Sequence, residues 1–135
     1  MVKKIEFDGH LFALIVSDYQ QKNDGIEFVT DGSSLLEFGV MKYKSGHKIQ
    51  PHIHKPFKRI TQGTNEVLFI KKGKVIIDFF DENQNHFLSE TLFKNDWIIL
   101  LKGGHGFNIV DDSEMIEVKN GPYANNDDKI RFKHV

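Results

Sequence analysis

The sequence predicts an all-β fold, either a sandwich or a barrel, and three observations lead to this prediction. Turn-forming residues recur at short and fairly even intervals between Asn23 and Pro122. The segments between these turns are short, apolar or alternating, and rich in Ile, Val, Phe and Tyr. After residue 25, no segment keeps the i, i+3, i+4 apolar spacing of a helix for three turns. Short strands separated by regular turn signals are typical of all-β domains.

The same pattern predicts the individual strands. They cover residues 11–17, 26–30, 35–43, 48–54, 66–71, 74–80, 86–92, 97–101, 105–110 and 114–119. Alternation within the strand from Glu66 predicts that Leu68 and Ile70 share its face. Residues 97–101 are apolar throughout, so both faces of that strand should be covered, by a second layer or by the interface of a homodimer. Residues 129–135 are predicted to be a last strand or an arm.

Length and composition narrow the possible classes of protein. At 135 residues, the chain is predicted to be a single domain over residues 1–135, long enough to bury a core without disulfides. It contains no cysteine, so any metal site must use histidine and carboxylate ligands. The formal net charge is −1, which provides no general attraction for nucleic acid or membranes. Because no apolar run reaches transmembrane length, we expect a cytoplasmic protein.

The stretch Pro51-His52-Ile53-His54 is the first candidate for chemistry. In a β-strand alternate side chains leave on the same face, so His52 and His54 would point the same way. Two neutral imidazoles aimed at one point are the beginning of a transition-metal site. Taken alone, the pair is equally compatible with a structural role.

Glu66 and His105 extend this candidate set. Glu66 opens an apolar strand, where a carboxylate that faces the core needs a partner or a metal; the alternative is an edge carboxylate in water. His105 follows the Gly103-Gly104 turn and shares a face with Phe107; the alternative is a capping or exposed residue. Three imidazoles and a carboxylate suit one divalent ion of Fe, Mn, Ni, Co, Cu or Zn, rather than Ca or Mg.

The motifs around these residues resemble those of the cupin family. In the first cupin motif, Gly is followed after five residues by His-x-His, and a later Glu is followed after six residues by Gly. Here Gly46 precedes His52-Ile53-His54, and Glu66 precedes Gly73, at those distances. The second motif runs from Gly-Asp through an apolar strand and a Pro-x-Gly turn to a His. Its places are taken here by Asn95-Asp96, Trp97 to Leu101, Gly103 and His105.

The chain departs from the cupin pattern at three points. Eleven residues, 55–65, separate His54 from Glu66 where the family has only a few. Asn95 and Leu101 replace the usual Gly and Pro of the second motif. The histidine of that motif also comes one position early after Gly103.

The resemblance implies a particular fold and a particular site. The fold would be the double-stranded β-helix of the cupins, a barrel or jelly roll with its core over about residues 35–118. Its metal ligands would be His52, His54, Glu66 and His105. Such a protein would be a metal-dependent small-molecule enzyme, for example an isomerase, an epimerase or an oxidoreductase.

A narrower likeness concerns the substrate. Three stretches resemble small single-domain cupins associated with surface-polysaccharide and sugar-nucleotide metabolism: Gly104-His105-Gly106-Phe107, Glu117 to Tyr123, and Asp127-Asp128-Lys129. This likeness implies a sugar, a sugar nucleotide or another small anion as substrate, and a context of polysaccharide biosynthesis.

Five further side chains are candidates for roles around the site. Arg59 would bind a carboxylate or phosphate from the inserted loop, unless that loop is only a solvated basic segment. Gln50 shares the predicted face of the histidines and would hydrogen-bond either a ligand or the protein. Glu117 and Lys119 share one strand phase, so they are an acid/base set or substrate anchor if inward, and a surface pair if outward. Tyr123 would supply a phenol at the barrel mouth, or merely pack in its loop.

Two other functions are also compatible with the sequence. The first is a non-catalytic module that senses or carries a sugar or an anion. The second is a metal-free sugar-nucleotide isomerase or epimerase. In that enzyme a histidine such as His105 would abstract a proton next to a keto group, with a Tyr or Glu as its partner.

Overall fold

The chain folds into antiparallel β-sheets, which confirms the all-β prediction. The computed structural model describes residues 1–134, apart from the side chain of Asn126. Within that range, none of the helical structure is long or apolar enough to cross a membrane. The elements are β1 (Val2–Phe7), β2 (His10–Val16), β3 (Gly25–Phe28), β4 (Gly39–Lys42), β5 (Glu66–Lys72), β6 (Lys74–Phe80), β7 (His86–Phe93), β8 (Trp97–Leu100), β9 (Gly104–Ile109), β10 (Glu114–Lys119) and the short 3-10 helix η1 (Asn125–Asp127).

The chain divides into two compact units. The larger unit comprises Met1–Tyr19 and Thr64–Val135, and the smaller unit comprises Gln20–Gly63. The larger unit contains a five-stranded sheet in the order β1-β2-β8-β5-β10 and a three-stranded sheet in the order β7-β6-β9. The smaller unit contains the hairpin of β3 and β4.

The core of the larger unit lies between its two sheets. In the central strands β5 and β6, every second residue contributes to this core, as the period of two in a strand requires. Leu68 and Ile70 come from the five-stranded sheet, and Val75, Ile77 and Phe79 come from the three-stranded sheet. The predicted phase of β5 is therefore confirmed, and Glu66 begins β5 on the face that carries Leu68 and Ile70.

The prediction that both faces of β8 are covered is also confirmed. Ile98 and Ile99 point to opposite faces, and neither has any exposed surface. This coverage occurs within a single chain, so it does not require a subunit interface. The coverage of β8 is therefore no argument for the expected homodimer, which stays a prediction.

Two predicted strands need correction, and one observed strand was not predicted. Residues 48–54 form no strand, and the predicted strand 35–43 is reduced to β4. Pro51 has no N–H to donate to a neighbouring strand, and Ile53 is 92% exposed, so the alternating pattern finds no core to face. Strand β1 was not predicted, because Ile5 is its only buried residue.

The described strands do not close into a barrel. Strands β1 and β10 form the two edges of one sheet, and β7 and β9 form the two edges of the other. Residues 43–65 and 129–134 form no strand that could extend either sheet. Residues 129–134 are therefore not the last strand that was one of the two predictions for residues 129–135. Val135 lies outside the described residues.

Candidate functional site

Glu66 and His105, two of the predicted site residues, are in contact in the larger unit. Glu66 is the first residue of β5 and His105 is the second residue of β9. The His105 Nε2 atom lies 3.1 Å from the Glu66 Oε2 atom, and the two side chains are only 28% and 12% exposed. The Phe107 ring packs edge-on against the imidazole at 5.6 Å between ring centroids. The pair is thus a partly buried acid–base contact beside an aromatic wall.

The charge on Glu66 determines which nitrogen of His105 holds a proton. The hydrogen bond from His105 lowers the pKa of the Glu66 carboxyl, although burial acts in the opposite direction. The positive charges of Lys119 and Lys129 lower this pKa further. An ionised carboxylate can only accept hydrogen bonds. The Nε2 atom therefore carries a proton and donates a hydrogen bond to Glu66. In the neutral ring Nδ1 is then the nitrogen that can take a second proton.

Lys119 places a cation next to this pair. It ends β10, and in the β10–β5 register it lies opposite Glu66. Its Nζ atom is 3.2 Å from the Asp128 Oδ2 atom and 3.8 Å from the Glu117 Oε1 atom. The hydrogen bond to Asp128 raises the pKa of the Lys119 ammonium, which therefore stays charged. Glu117 lies opposite Leu68 in the same register, but its side chain is 45% exposed because β10 is an edge strand.

Asp128 and Thr64 belong to the same cluster, and sequence reasoning assigned neither of them a role in the site. The Thr64 Oγ1 hydroxyl donates to Asp128 Oδ1 at 2.8 Å. This bond, followed by the hydrogen bond from Lys119, lowers the pKa of the Asp128 carboxyl. The two residues are 64 positions apart, and their side chains follow no hydrophobic period. No signal in the sequence connected them.

Buried Asn65 holds the neighbouring backbone in place. It is 5% exposed, and its side-chain amide donates to the Leu101 carbonyl at 2.9 Å. Its backbone N–H donates to the Asn120 Oδ1 atom at 2.8 Å. Asn65, which immediately precedes Glu66, thereby connects the start of β5 to the segments that follow β8 and β10. Sequence reasoning had assigned it to an inserted loop.

Replacing Asn65 with Ala is expected to lower the free energy of unfolding by about 1–3 kcal/mol, the typical cost of leaving a buried polar group unpaired. The reason is that the Leu101 carbonyl would lose its hydrogen-bond donor. Urea unfolding of wild type and variant measures the loss. Asn83→Ala, in an exposed turn, is the matched control and should stay within about 0.5 kcal/mol of wild type. An equal loss in both variants would contradict this role for Asn65.

His52 and His54 lie in the smaller unit, in a segment without strand structure. Their rings are nevertheless adjacent, with centroids 5.2 Å apart and an angle of 74° between the planes. Both residues are exposed. His52 Nδ1 lies 3.1 Å from the Gln50 backbone carbonyl, to which it donates. The strand geometry predicted for this pair is wrong, but the two imidazoles are neighbours.

The remaining predicted residues are largely exposed. The Arg59 guanidinium lies over the Phe57 ring at 5.0 Å, and both residues are on the inserted loop. Tyr123 is 73% exposed and follows a cis Gly121-Pro122 bond.

The four predicted metal ligands divide between the two units, two in each. Within residues 1–134, no group of three or more His, Asp or Glu side chains is arranged to hold a metal ion. Comparisons with protein families, with curated proteins and with solved structures found no match. The cluster in the larger unit combines a carboxylate-bound imidazole with a neighbouring ammonium group.

Proposed function

We propose that the chain is a small-molecule enzyme that transfers protons without a metal, as an isomerase or epimerase of sugar nucleotides. The observation that carries this proposal is the 3.1 Å contact between His105 Nε2 and Glu66 Oε2. A histidine whose one nitrogen is bound to a carboxylate has its tautomer and orientation defined, as general acid–base catalysis requires. The sugar-nucleotide substrate comes from the motif likeness to small cupins.

The proposed reaction begins at a carbon next to a keto group. His105 Nδ1 takes the proton from this carbon, and the electron pair of the C–H bond forms an enolate whose charge is on the former keto oxygen. Glu66 stabilises the imidazolium that results. The proton then returns from His105 to carbon, either on the opposite face or at the neighbouring position. Glu66 is better placed than Tyr123 to be the partner of His105 in this reaction, because Glu66 contacts the imidazole.

A cupin-type fold is part of the proposal, and two motif positions support it. Asn95 stands where the cupin motif has Gly, and its φ of 74° is a conformation that Gly or Asn adopts at low cost. Gly73, the last residue of the first motif, has a φ of 94° and lies close to the backbone of Ser113. Both positions have the positive φ that favours Gly or Asn, which supports the proposed cupin-type fold.

A metal-dependent enzyme is the second candidate, and a separate observation favours it. In the smaller unit, the His52 and His54 rings are neighbours, with centroids 5.2 Å apart. Two neighbouring imidazoles are nitrogen donors that suit a divalent transition metal. Such an ion would supply Lewis-acid or redox chemistry, while Lys119 would orient an anionic substrate.

Deuterium exchange tests the two candidates against each other. The protein, without a histidine tag, is incubated in D₂O with nucleoside-diphosphate keto sugars, and proton NMR follows the exchange of the carbon-bound proton. The same assay is repeated after treatment with a chelator, with elemental analysis of both samples and of His52→Ala. We expect exchange that survives complete removal of metal. Exchange that stops and returns with one divalent ion would favour the metal enzyme, and binding without exchange would make the chain a binding module.

A further inference from the structure

The Asp128 carboxylate is held by two donors next to the proposed catalytic pair. Thr64 Oγ1 donates to one of its oxygens at 2.8 Å, and Lys119 Nζ donates to the other at 3.2 Å. The Asp128 side chain is 14% exposed and that of Lys119 is 27% exposed. A hydroxyl and an ammonium that converge on one small anion form the kind of donor set that also binds a phosphate group.

The charges around this position have both signs, because the Glu117 and Glu66 carboxylates also act on the Lys119 ammonium. Lys119 lies directly across the strand pair from Glu66, so a group bound to its ammonium would be next to the Glu66–His105 contact. Lys129 follows Asp128 in the chain, and its positive charge also acts on Glu66. Asp128 itself is on the segment after η1, which is not part of either sheet.

We infer that Thr64 and Lys119 form a subsite for a phosphate group and that Asp128 occupies this subsite in the free protein. The ligand class is a phosphate ester or diphosphate. The inference deepens the proposed function, on which it rests for assigning the phosphate to a sugar nucleotide. Binding of the phosphate replaces Asp128 on both donors, and the Asp128 carboxylate turns to solvent.

Displacing Asp128 would also affect the segment that follows it. Phe132 on this segment packs edge-on against Phe80, with ring centroids 5.1 Å apart. A Cβ atom at Gly104, the residue before His105, would lie 3.3 Å from the Phe132 ring. The segment therefore touches the subsite at Asp128 and strand β9, which carries His105, at Phe132.

The variant Asp128→Asn tests this inference. The asparagine amide keeps an oxygen that can accept a hydrogen bond from Thr64. The substitution removes the negative charge that competes with phosphate for Lys119. Inorganic phosphate and uridine diphosphate are titrated separately into full-length protein at low ionic strength, with binding followed by calorimetry and by amide NMR shifts at residues 64 and 119. We expect Asp128→Asn to bind both probes about tenfold more tightly than wild type, as loss of a charge-assisted competitor predicts.

Two further variants make the result specific. Asp127→Asn removes the same charge from the neighbouring position in η1, and its affinities should stay within about twofold of wild type because this control only changes the general field. Adding Lys119→Met to Asp128→Asn should abolish the gain. The inference is overturned if Asp128→Asn binds no more tightly than Asp127→Asn, or if the gain survives without Lys119. Thermal unfolding shows that each variant is folded.

Failure of this inference can be distinguished from failure of the proposed function. Phosphate binding is measured without any turnover, whereas the proposed reaction is measured as exchange of a carbon-bound proton. A tenfold gain in phosphate affinity without proton exchange would support the subsite and contradict the isomerase. Proton exchange, together with a phosphate affinity that is unchanged in Asp128→Asn, would support the isomerase and contradict the subsite.

Discussion

Replacing His105 with Gln is expected to lower the rate of deuterium exchange by about 100- to 10,000-fold, the range that a general acid–base residue contributes. Glutamine has a similar size and its amide can still donate to Glu66, so the local packing is kept. It has no nitrogen that can take a proton from carbon. The rate is measured by proton NMR with a nucleoside-diphosphate keto sugar that wild type exchanges.

His10→Gln is the matched control for this prediction. His10 is an exposed residue at the start of β2 in the same larger unit, and its replacement should leave the exchange rate unchanged. Glu66→Gln should lower the rate less than His105→Gln, because the base remains but loses the carboxylate that orients it. If His105→Gln exchanges as fast as His10→Gln, the proposed function is wrong.

Gly73→Ala is expected to lower the free energy of unfolding by about 2–5 kcal/mol. The φ of Gly73 is 94°, and a left-handed backbone costs a residue with a Cβ atom about 1–2 kcal/mol. The new Cβ would also lie 2.6 Å from the Asp112 carbonyl oxygen and 2.8 Å from the Ser113 Cα atom. Forcing these backbone atoms apart adds about 1–3 kcal/mol.

Gly9→Ala separates the two contributions. Gly9 has a φ of 73° in the same larger unit, and a Cβ placed there would meet nothing within 4 Å. Its replacement should cost only the conformational part, about 1–2 kcal/mol. Urea unfolding of both variants measures the difference. Equal losses would show that the turn after β5 relaxes and that the close approach at Gly73 is unimportant.

Most strands were predictable because their signal is local. In β6, buried Val75, Ile77 and Phe79 alternate with residues on the other face, and this period of two is visible in the sequence. The signal failed where local alternation had no sheet to join. Ile53 alternates with two histidines but is 92% exposed, so residues 48–54 are not a strand. Conversely, β1 was missed because it buries only Ile5.

The candidate site was predictable in part. Glu66 and His105 were identified because each stands at a motif position beside an apolar strand, and the structure brings them into contact. Thr64, Asn65 and Asp128 were not identified. Their roles depend on hydrogen bonds between residues distant in sequence, and a hydrogen bond between side chains leaves no periodic pattern.

The sequence by itself determined the all-β class, the faces of the central strands and two members of the candidate site, because these depend on local patterns of apolar residues and on short motifs. Only the tertiary structure decided that Glu66 accepts from His105 Nε2, that Lys119 lies opposite Glu66, and that Asp128 is held by Lys119. Those contacts follow from strand register and chain reversal, which bring together side chains from β5, β9, β10 and the segment after η1.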